Sequence, residues 1–216
     1  MGLNELVKHR NLLNAKSGFP LLKKDKVLNS QFHPRRDNVA FVIIDFQDKM
    51  VAAVEEDIRR KVTENIELLL DLAKLMHIPV IITEQYPQGL GKTTGELTQK
   101  LGDLYQPIEK LTFSCYAHPP FQEKIENLCV KHLILTGIET HICVLQTALD
   151  LLAAGYEVSL VRDAVCSRYK SDWEVGLRMV EQAGGVITST EVIIFQLLKR
   201  AGTAEFKFIS PLLKRR

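Results

Sequence analysis

The sequence lacks an apolar run of the length that crosses a membrane, and aromatic residues make up only 7% of it. Its longest apolar stretches, at 39–44 and 132–138, have the length of β-strands, whereas a membrane-spanning helix needs about 20 apolar residues. The four cysteines form no C-x-x-C pair and no zinc-finger spacing with histidine. Neither glycine-rich phosphate-binding signature occurs. These absences argue against a membrane protein, a disulfide-stapled mini-domain and nucleotide binding by such loops.

What is present is the composition of an ordinary folded domain. Of the 216 residues, 46% are hydrophobic and 25% are charged, which is close to the average for globular proteins. A chain of this length buries roughly 70% of its unfolded surface, so its core needs no disulfide or metal. We therefore expect a reduced, cytoplasmic protein of one domain plus an attachment, without a membrane partner.

Positive charge is concentrated in the first 36 residues. This stretch has eight lysine and arginine residues against two acidic ones, while the whole chain carries a net charge of only +2. The remainder is therefore mildly acidic and offers no basic face for nucleic acid. We interpret residues 1–36 as a basic arm that packs on the body or on a neighbouring subunit. A transit-type leader to an organelle and an anion- or nucleic-acid-binding segment stay open as alternatives.

Apolar runs of strand length alternate with segments of helical periodicity over residues 37–200. The first run is continuous and β-branched, as in a parallel strand covered on both faces. Repeated alternation predicts a three-layer α/β/α domain with a central, mostly parallel sheet of about five to six strands, similar to a Rossmann fold. We expect residues 201–216 to be a tail that packs on the domain or a neighbour. The predicted strands are 39–44, 79–84, 132–138, 156–161 and 186–188, and the predicted helices are 58–76, 121–128, 142–154, 172–183 and 191–200.

Three reactive side chains are candidates for the carboxyl ends of these strands, where ligands of such sheets bind. Asp45 directly follows the first strand, where a buried carboxylate needs a polar partner or a cleft to offset the loss of water. An equal alternative is that Asp45 caps a helix or lies in a turn. Cys143 follows the strand at 132–138 by five residues. It falls at a predicted helix start, and the N-terminus of a helix lowers the pKa of a thiol toward a reactive thiolate. The alternative is that Cys143 is simply a small hydrophobic residue buried in the core. Lys110, in a predicted loop at 108–112, is on its own most simply a surface lysine.

Together these side chains provide the parts of a nucleophilic site. A cysteine nucleophile needs a base for its proton, a cation that holds the thiolate, and hydrogen-bond donors for the oxyanion. Asp45 can serve as the base, Lys110 as the cation, and the backbone amides around Cys143 as the donors. The combination therefore predicts acyl-transfer chemistry.

The same segments resemble the isochorismatase-like cysteine hydrolases, a superfamily that includes nicotinamidases, carbamoylsarcosine-type amidohydrolases and isochorismatase. The resemblance rests on VIIDFQ at 42–47, Lys110 and GIETHICV at 137–144, and it extends over residues 38–198. The stretches TEQYPQGLG at 83–91 and 147–155 are similar to the isochorismatase domain-containing branch, whose physiological substrate is generally unassigned.

The resemblance implies a catalytic triad of Asp45, Lys110 and Cys143. In it, the aspartate is the general base and acid, the lysine its cationic partner and the cysteine the nucleophile. It also implies a non-proline cis peptide between Ile138 and Glu139, whose purpose is to aim the Glu139 N–H, with that of Cys143, at the oxyanion. We expect Gln47, Gln85 and Tyr86 to contact the substrate. For Gln47, an exposed turn residue is an equal alternative.

The segment at 85–95 departs from the pattern of the metal-binding nicotinamidases. Those relatives carry an aspartate and histidine cluster after the second strand, whereas this segment contains neither residue type. We therefore expect no metal and no cofactor. Nicotinamide is disfavoured as the substrate, since in those relatives the metal contacts the pyridine nitrogen.

Other polar residues near the predicted site receive weaker interpretations. His141 lies two residues before Cys143, so the two side chains point apart at a helix start, and we place His141 at the pocket rim. Cys166 follows the fourth predicted strand and is expected to pack near the site, with a second reactive thiol as the alternative. Cys115 and Cys129 are interpreted as structural.

We predict a metal-independent cysteine hydrolase that acts on a small-molecule amide, C–N or related bond and assembles as a homo-oligomer. The alternative from another class is a non-catalytic binding or scaffold protein that keeps the fold. A third hypothesis is nucleic-acid binding through the basic arm.

Overall fold

A six-stranded parallel sheet forms the centre of the part of the chain that the structure describes. The computed structural model describes residues 30–214, so residues 1–29 of the predicted arm lie outside the described residues. The strands run in the spatial order β3-β2-β1-β4-β5-β6. They are β1 (Val39–Ile44), β2 (Val80–Gln85), β3 (Ile108–Lys110), β4 (His132–Ile138), β5 (Glu157–Cys166) and β6 (Val186–Thr188).

The strand order creates a switch point between β1 and β4. The chain adds β2 and β3 on one side of β1, then returns to add β4, β5 and β6 on the other. The connections of β1 and β4 therefore leave the sheet in opposite directions and open a crevice at the carboxyl ends, where doubly wound sheets bind ligands. This confirms the predicted α/β class and sheet.

Helices cover both faces of the sheet, which explains the uninterrupted apolar character of β1. Alternate residues of this fully buried strand enter two separate cores, Val39, Phe41 and Ile43 on one face and Ala40 and Val42 on the other. The helices are α1 (Asp48–Val51), α2 (Glu56–Met76), α3 (Pro87–Leu90), α4 (Gly95–Leu101), α5 (Pro119–Leu128), α6 (Leu145–Ala153), α7 (Lys170–Gln182), α8 (Thr190–Leu198) and α9 (Ala204–Leu213). The first core contains residues of α2, α8 and α9, and the second contains residues of α5, α6 and α7. None of the helices within residues 30–214 is long and apolar enough to cross a membrane.

Gly137 permits the close approach of β4 to β1 at the switch point. Its φ is +112°, and a Cβ atom there would lie 2.0 Å from the backbone oxygen of Ile44. Only glycine fits both the conformation and the space. The residue therefore fixes the spacing of the two strands whose ends carry Asp45 and the Cys143 loop.

Several boundaries differ from the predictions. The segment 108–112, predicted as a loop, contains β3, a three-residue edge strand too short to show a period. Strand β5 continues five residues past the predicted end at 161, because its second half pairs again with β4 after a register shift. The segment 85–95, for which the sequence predicts a polar, glycine-rich loop, contains the four-residue helix α3. Within 201–216, the fully buried Ile209 of helix α9 packs into the core that α2 and α8 also line.

Candidate active site

The switch point brings Asp45, Lys110 and Cys143 together. Asp45 directly follows β1, Lys110 ends β3, and Cys143 lies in a π-helical turn, Thr140–Val144, that follows β4. All three are buried, with exposed fractions of 0%, 3% and 3%. Three residues far apart in the sequence therefore occupy one interior site at the carboxyl edge of the sheet.

Both carboxylate oxygens of Asp45 are bound. The ammonium nitrogen of Lys110 lies 2.7 Å from Oδ2, and the hydroxyl of Thr83 donates to Oδ1 across 2.7 Å. The Asp45 backbone has a φ of +48°, which turns the chain sharply out of β1. Two fixed donors thus hold the carboxylate in one orientation, despite its complete burial.

Lys110 is surrounded by oxygen atoms. Besides Asp45, its Nζ donates to Oε1 of Gln85 across 2.8 Å and to the backbone oxygens of Thr112 and Phe113 across 3.1 and 3.2 Å. Burial by itself lowers the lysine pKa, but the negative charge of Asp45 and the hydrogen bond to it oppose this effect, and the pKa of Lys110 is raised. The side chain is therefore a fixed positive charge.

The pKa of the Cys143 thiol is raised above its ordinary value. Burial raises this pKa most, the negative charge of Asp45 raises it further, and Lys110 opposes them. The predicted lowering of this pKa by a helix N-terminus is therefore wrong. Cys143 lies in the π-helical turn that opens into α6, and there burial and the charge of Asp45 outweigh the effect of the helix start on the thiol pKa. The neighbouring Asp45 carboxylate can accept the thiol proton.

The loop before Cys143 is held from the opposite side. The peptide bond between Ile138 and Glu139 is cis. The buried carboxylate of Glu139 accepts hydrogen bonds from both the backbone N and Nε of Arg168, each across 3.0 Å. Gly176 of α7 lies so close that a Cβ atom would be 2.8 Å from the Thr140 backbone oxygen. The segment between β5 and α7, through Arg168, and α7 itself, through Gly176, thus hold the turn that carries the thiol.

His141 is engaged outside the cluster of Asp45, Lys110 and Cys143. Its Nδ1 is 3.0 Å from the hydroxyl of Ser167, and its Nε2 is 3.8 Å from a carboxylate oxygen of Asp172. These contacts tie the π-helical turn to the segment after β5.

Gln47 and Gln85 are buried, and their amides are occupied by the protein. The Gln47 Nε2 donates to the backbone oxygens of Gln85 and Gly91 across 3.0 and 2.5 Å, and its Oε1 accepts from the Gln85 N across 2.7 Å. The Gln85 Nε2 donates to the Leu111 backbone oxygen. Tyr86, by contrast, is 50% exposed.

Sequence reasoning missed Thr83, which lies beside the buried Cys115. The Thr83 hydroxyl that holds Asp45 also lies 3.6 Å from the Cys115 sulfur. Burial raises the pKa of Cys115 to about 11, with the charge of Asp45 as the next cause. A threonine within the apolar run of β2 was the available signal, since β2 pairs with β1 and brings Thr83 level with Ile44.

The part of the chain described by the structure, residues 30–214, contains no group of three or more histidine, cysteine, aspartate or glutamate residues placed to hold a metal ion. The ammonium group of Lys110 donates hydrogen bonds to one carboxylate oxygen, one amide oxygen and two backbone oxygens. The candidate site is therefore organised around an ammonium cation.

These features define a class of α/β proteins that carry a buried thiol, carboxylate and ammonium group at the switch point of a doubly wound sheet. Residues 39–192 match the family model described as "Isochorismatase domain". The chain belongs to the isochorismatase family, as the sequence motifs predicted, and has the hydrolase fold of that family.

Relatives with substantial identity support this assignment. The chain is 40% identical over 157 residues to isochorismatase domain-containing protein 2 of Bos taurus, which covers 72% of this chain and 74% of the relative. It is 42% identical over 149 residues to the secreted isochorismatase effector Isc1 of Phytophthora sojae, which covers 68% and 71%. A solved structure described as MAR1 ribonuclease from Caenorhabditis elegans is 35% identical, with a TM-score of 0.77 over 84% of this chain and 92% of that one.

Proposed function

We propose that the protein is a metal-independent cysteine hydrolase that cleaves a small-molecule amide or related C–N bond. The observation that carries the proposal is one buried carboxylate, Asp45, which binds Lys110 across 2.7 Å and lies near enough to the Cys143 thiol for its charge to raise the thiol pKa. A nucleophile, a base beside it and a third group that orients the base form the arrangement that covalent catalysis requires.

The first half of the reaction forms a thioester. The thiol proton of Cys143 passes to Asp45 while the sulfur attacks the carbonyl carbon, so that the C–S bond forms and the carbonyl electrons move to oxygen. Asp45 then returns the proton to the nitrogen as the C–N bond breaks and the amine leaves. Because the thiol has a raised pKa, this transfer accompanies the attack and does not precede it.

The second half regenerates the enzyme. A water molecule in place of the amine gives a proton to Asp45 and attacks the thioester carbon. The C–S bond breaks, the carboxylic acid leaves, and the proton on Asp45 returns to the sulfur of Cys143. Throughout, the fixed charge of Lys110 stabilises whichever of the two groups is anionic.

Backbone and loop residues complete the proposed site. We assign the N–H groups of Glu139 and Cys143 to the oxyanion. Since their amides are occupied, Gln47 and Gln85 act by holding the segment after β2 and the Lys110 ammonium group. Half-exposed Tyr86 remains the proposed substrate contact.

The direct test is a screen of small amides with the full-length chain, followed by Cys143→Ala and Cys143→Ser. We expect loss of turnover in both variants, and a mass increase equal to the acyl group when the wild-type enzyme is quenched during turnover. Cys129→Ala is the matched control, since Cys129 is an exposed free cysteine. Full activity of Cys143→Ala on a true substrate would overturn the proposal. No turnover of any amide, combined with specific ligand binding, would favour a scaffold protein.

A second candidate, RNA cleavage, is favoured by the description of the Caenorhabditis elegans structure as a ribonuclease. The site is buried and the chain beyond residue 36 is net negative, both of which oppose an RNA substrate. Incubation of the full-length chain with labelled RNA tests this candidate. Cleavage that is lost in Cys143→Ala would replace the amide assignment.

We also propose that copies of the chain associate near this site. Leu111 and Phe113, which lie in the turn whose carbonyl groups bind Lys110, are 75% and 55% exposed. Exposed apolar side chains of this size favour a protein contact. Sedimentation of the full-length chain should give an oligomer, and Leu111→Ser with Phe113→Ser should shift it toward monomer. The cytoplasmic location and the interpretation of the basic arm stay predictions.

A further inference from the structure

A groove of about 550 Å³ lies beside the candidate active site. It is bounded by the first half of α2, the end of β5 and the start of α7, and its lining includes none of Asp45, Lys110 and Cys143. Its volume lies within the range of roughly 300–1,000 Å³ that is usual for small-molecule sites. Its position at the carboxyl edge of the sheet is also the usual one for ligands in this architecture.

The walls of the groove are apolar and firmly placed. Val62 and Val165 line it and are 4% and 2% exposed. Trp173 forms another wall, and its indole N–H donates to the backbone oxygen of Arg162 across 3.2 Å. The polar atom of the ring is thus already bound, so the rest of the indole offers an apolar surface to a ligand.

Basic side chains surround the opening, and some of them are already paired. Arg60 is 3.1 Å from a carboxylate oxygen of Asp57 and 3.8 Å from one of Glu64. Lys170 is 3.7 Å from a carboxylate oxygen of Glu174. These two cations are therefore largely neutralised by acids of their own helices.

Lys61 and Arg162 provide the charge that is not neutralised. Across residues 30–214 neither of them forms an ion pair, and the guanidinium of Arg162 lies 5.5 Å from the centre of the Trp173 ring. The acid beside them, Asp163, accepts two hydrogen bonds from Thr190. The groove thus combines an apolar interior with two available positive charges at its rim.

We propose that this groove is a second ligand site, which binds a small organic anion with an apolar body. The body would lie against Trp173, Val62 and Val165, and its carboxylate, sulfonate or phosphate would lie between Lys61 and Arg162. This site is independent of the proposed hydrolysis, because its binding groups are not those of the catalytic cluster.

Trp173 makes the proposal directly measurable, since it is the only tryptophan in the chain. The probe is anilinonaphthalene sulfonate, added to the full-length protein at low salt and excited by energy transfer from the indole. The uncharged analogue N-phenylnaphthylamine serves as the matched probe. We expect saturable binding of one anion per chain, roughly tenfold tighter than that of the neutral probe, because only the anion gains the attraction of the rim charges.

Charge variants test the assigned contacts. Lys61→Gln combined with Arg162→Gln should weaken the anionic probe about tenfold and leave the neutral probe unchanged. Lys124→Gln combined with Arg178→Gln is the matched control, because it removes two exposed positive charges that do not line the groove. Equal loss of affinity in both double variants would overturn the proposal, as it would indicate attraction by net charge alone.

Two further outcomes would also count against it. Equal affinity for the charged and neutral probes would show an apolar surface without an anion site. The groove would be a contact between two copies if neither probe binds at protein concentrations where an oligomer persists and both bind once dilution has dissociated it. Probe binding to Cys143→Ala should equal that to the wild type, so the result does not depend on the proposed reaction.

Discussion

The ammonium nitrogen of Lys110 lies 2.7 Å from an oxygen of Asp45, and both side chains are completely buried. Removing two charges from water costs several kcal/mol for each ion, and this desolvation penalty can exceed the attraction between the two charges. Stability alone therefore gives no reason for this pair. A reason exists if the pair holds the base for a third group, and the Cys143 thiol is the group that faces the carboxylate.

Lys110→Met should destabilise the fold and slow alkylation of Cys143. Loss of one partner leaves a buried, unpaired carboxylate, which costs about 3–5 kcal/mol of unfolding free energy. Lys110 is the neighbour that lowers the thiol pKa, so its removal raises that pKa further and reduces the thiolate fraction at any given pH. Urea unfolding and the rate of iodoacetamide labelling, read by mass spectrometry, measure the two effects.

A double variant separates stability from chemistry. Asp45→Asn in the Lys110→Met background removes the unpaired charge and should restore much of the stability, but not turnover. Lys124→Met, a change at an exposed lysine of α5, should change neither quantity. An unchanged rate of Cys143 labelling in Lys110→Met would contradict the assigned effect of Lys110 on the thiol pKa.

Thr83→Val should impair the reaction by freeing one oxygen of Asp45. The variant keeps the shape of the side chain but loses the hydroxyl that donates across 2.7 Å to the carboxylate. A hydrogen bond to a charged group is worth about 1.5–3 kcal/mol, so we expect a fall of roughly tenfold or more in kcat. Steady-state kinetics on the substrate found by the amide screen provides the measurement.

Thr83→Ser is the matched control, because it keeps the donor. It should retain most of the activity while it loses the packing of one methyl group. If both variants lose activity equally, Thr83 serves packing against Cys115 and not the orientation of Asp45.

The strands beside the switch point could be predicted because their sequences are dominated by one physical requirement. Burial on both faces makes β1 and β4 nearly continuous apolar runs. Asp45 stands out directly after the first run, and Cys143 shortly after the second. The alternation of strands and helices indicated a parallel sheet, whose strands all end at the same edge, so both residues could be placed at that edge. That β1 and β4 are neighbours is known only from the structure.

The contribution of β3 could not be derived in the same way. Its three residues lie at the sheet edge, and two of them are charged, so the segment shows no strand period. Lys110 becomes a site candidate only in combination with Asp45 and Cys143, since on its own it is most simply interpreted as a surface lysine. Its burial depends on β2, which supplies Gln85, and on the turn whose Thr112 and Phe113 carbonyl groups bind the ammonium. Such a cage forms from tertiary contacts that a one-dimensional pattern does not contain.

Gly137→Ala should be far more destabilising than an ordinary glycine substitution. A Cβ atom at this residue would lie 2.0 Å from the Ile44 backbone oxygen, so β1 and β4 would have to separate. We expect a loss of about 3 kcal/mol or more, from the clash together with the unfavourable φ. Chemical denaturation gives the value.

Gly184→Ala isolates the contribution of the backbone angle. Gly184 has a φ of +98°, close to the +112° of Gly137, but a Cβ atom there meets nothing within 4 Å. The variant should therefore cost only about 1 kcal/mol. Similar losses at both positions would show that strand spacing at the switch point is not the limiting factor.

His132 should make the fold less stable as the pH falls. Burial lowers the pKa of this histidine below its ordinary value, although the nearby Glu157 carboxylate opposes the shift. The folded state therefore binds the proton less readily than the unfolded state. The stabilisation is complete above the unfolded pKa of about 6.5 and declines as the pH falls below it toward the folded pKa, by at most about 1.4 kcal/mol per pH unit.

Replacement of the imidazole should flatten this dependence. His132→Gln keeps a polar group near the Ser159 hydroxyl, which lies 2.8 Å from the histidine Nε2, but it does not titrate in this range. Its unfolding free energy should fall less steeply between pH 6.5 and pH 5 than that of the wild type, even if its stability at neutral pH is lower. His77→Asn is the matched control, since His77 is exposed and asparagine tolerates its left-handed backbone. An identical slope in the wild type and His132→Gln would place the acid sensitivity elsewhere.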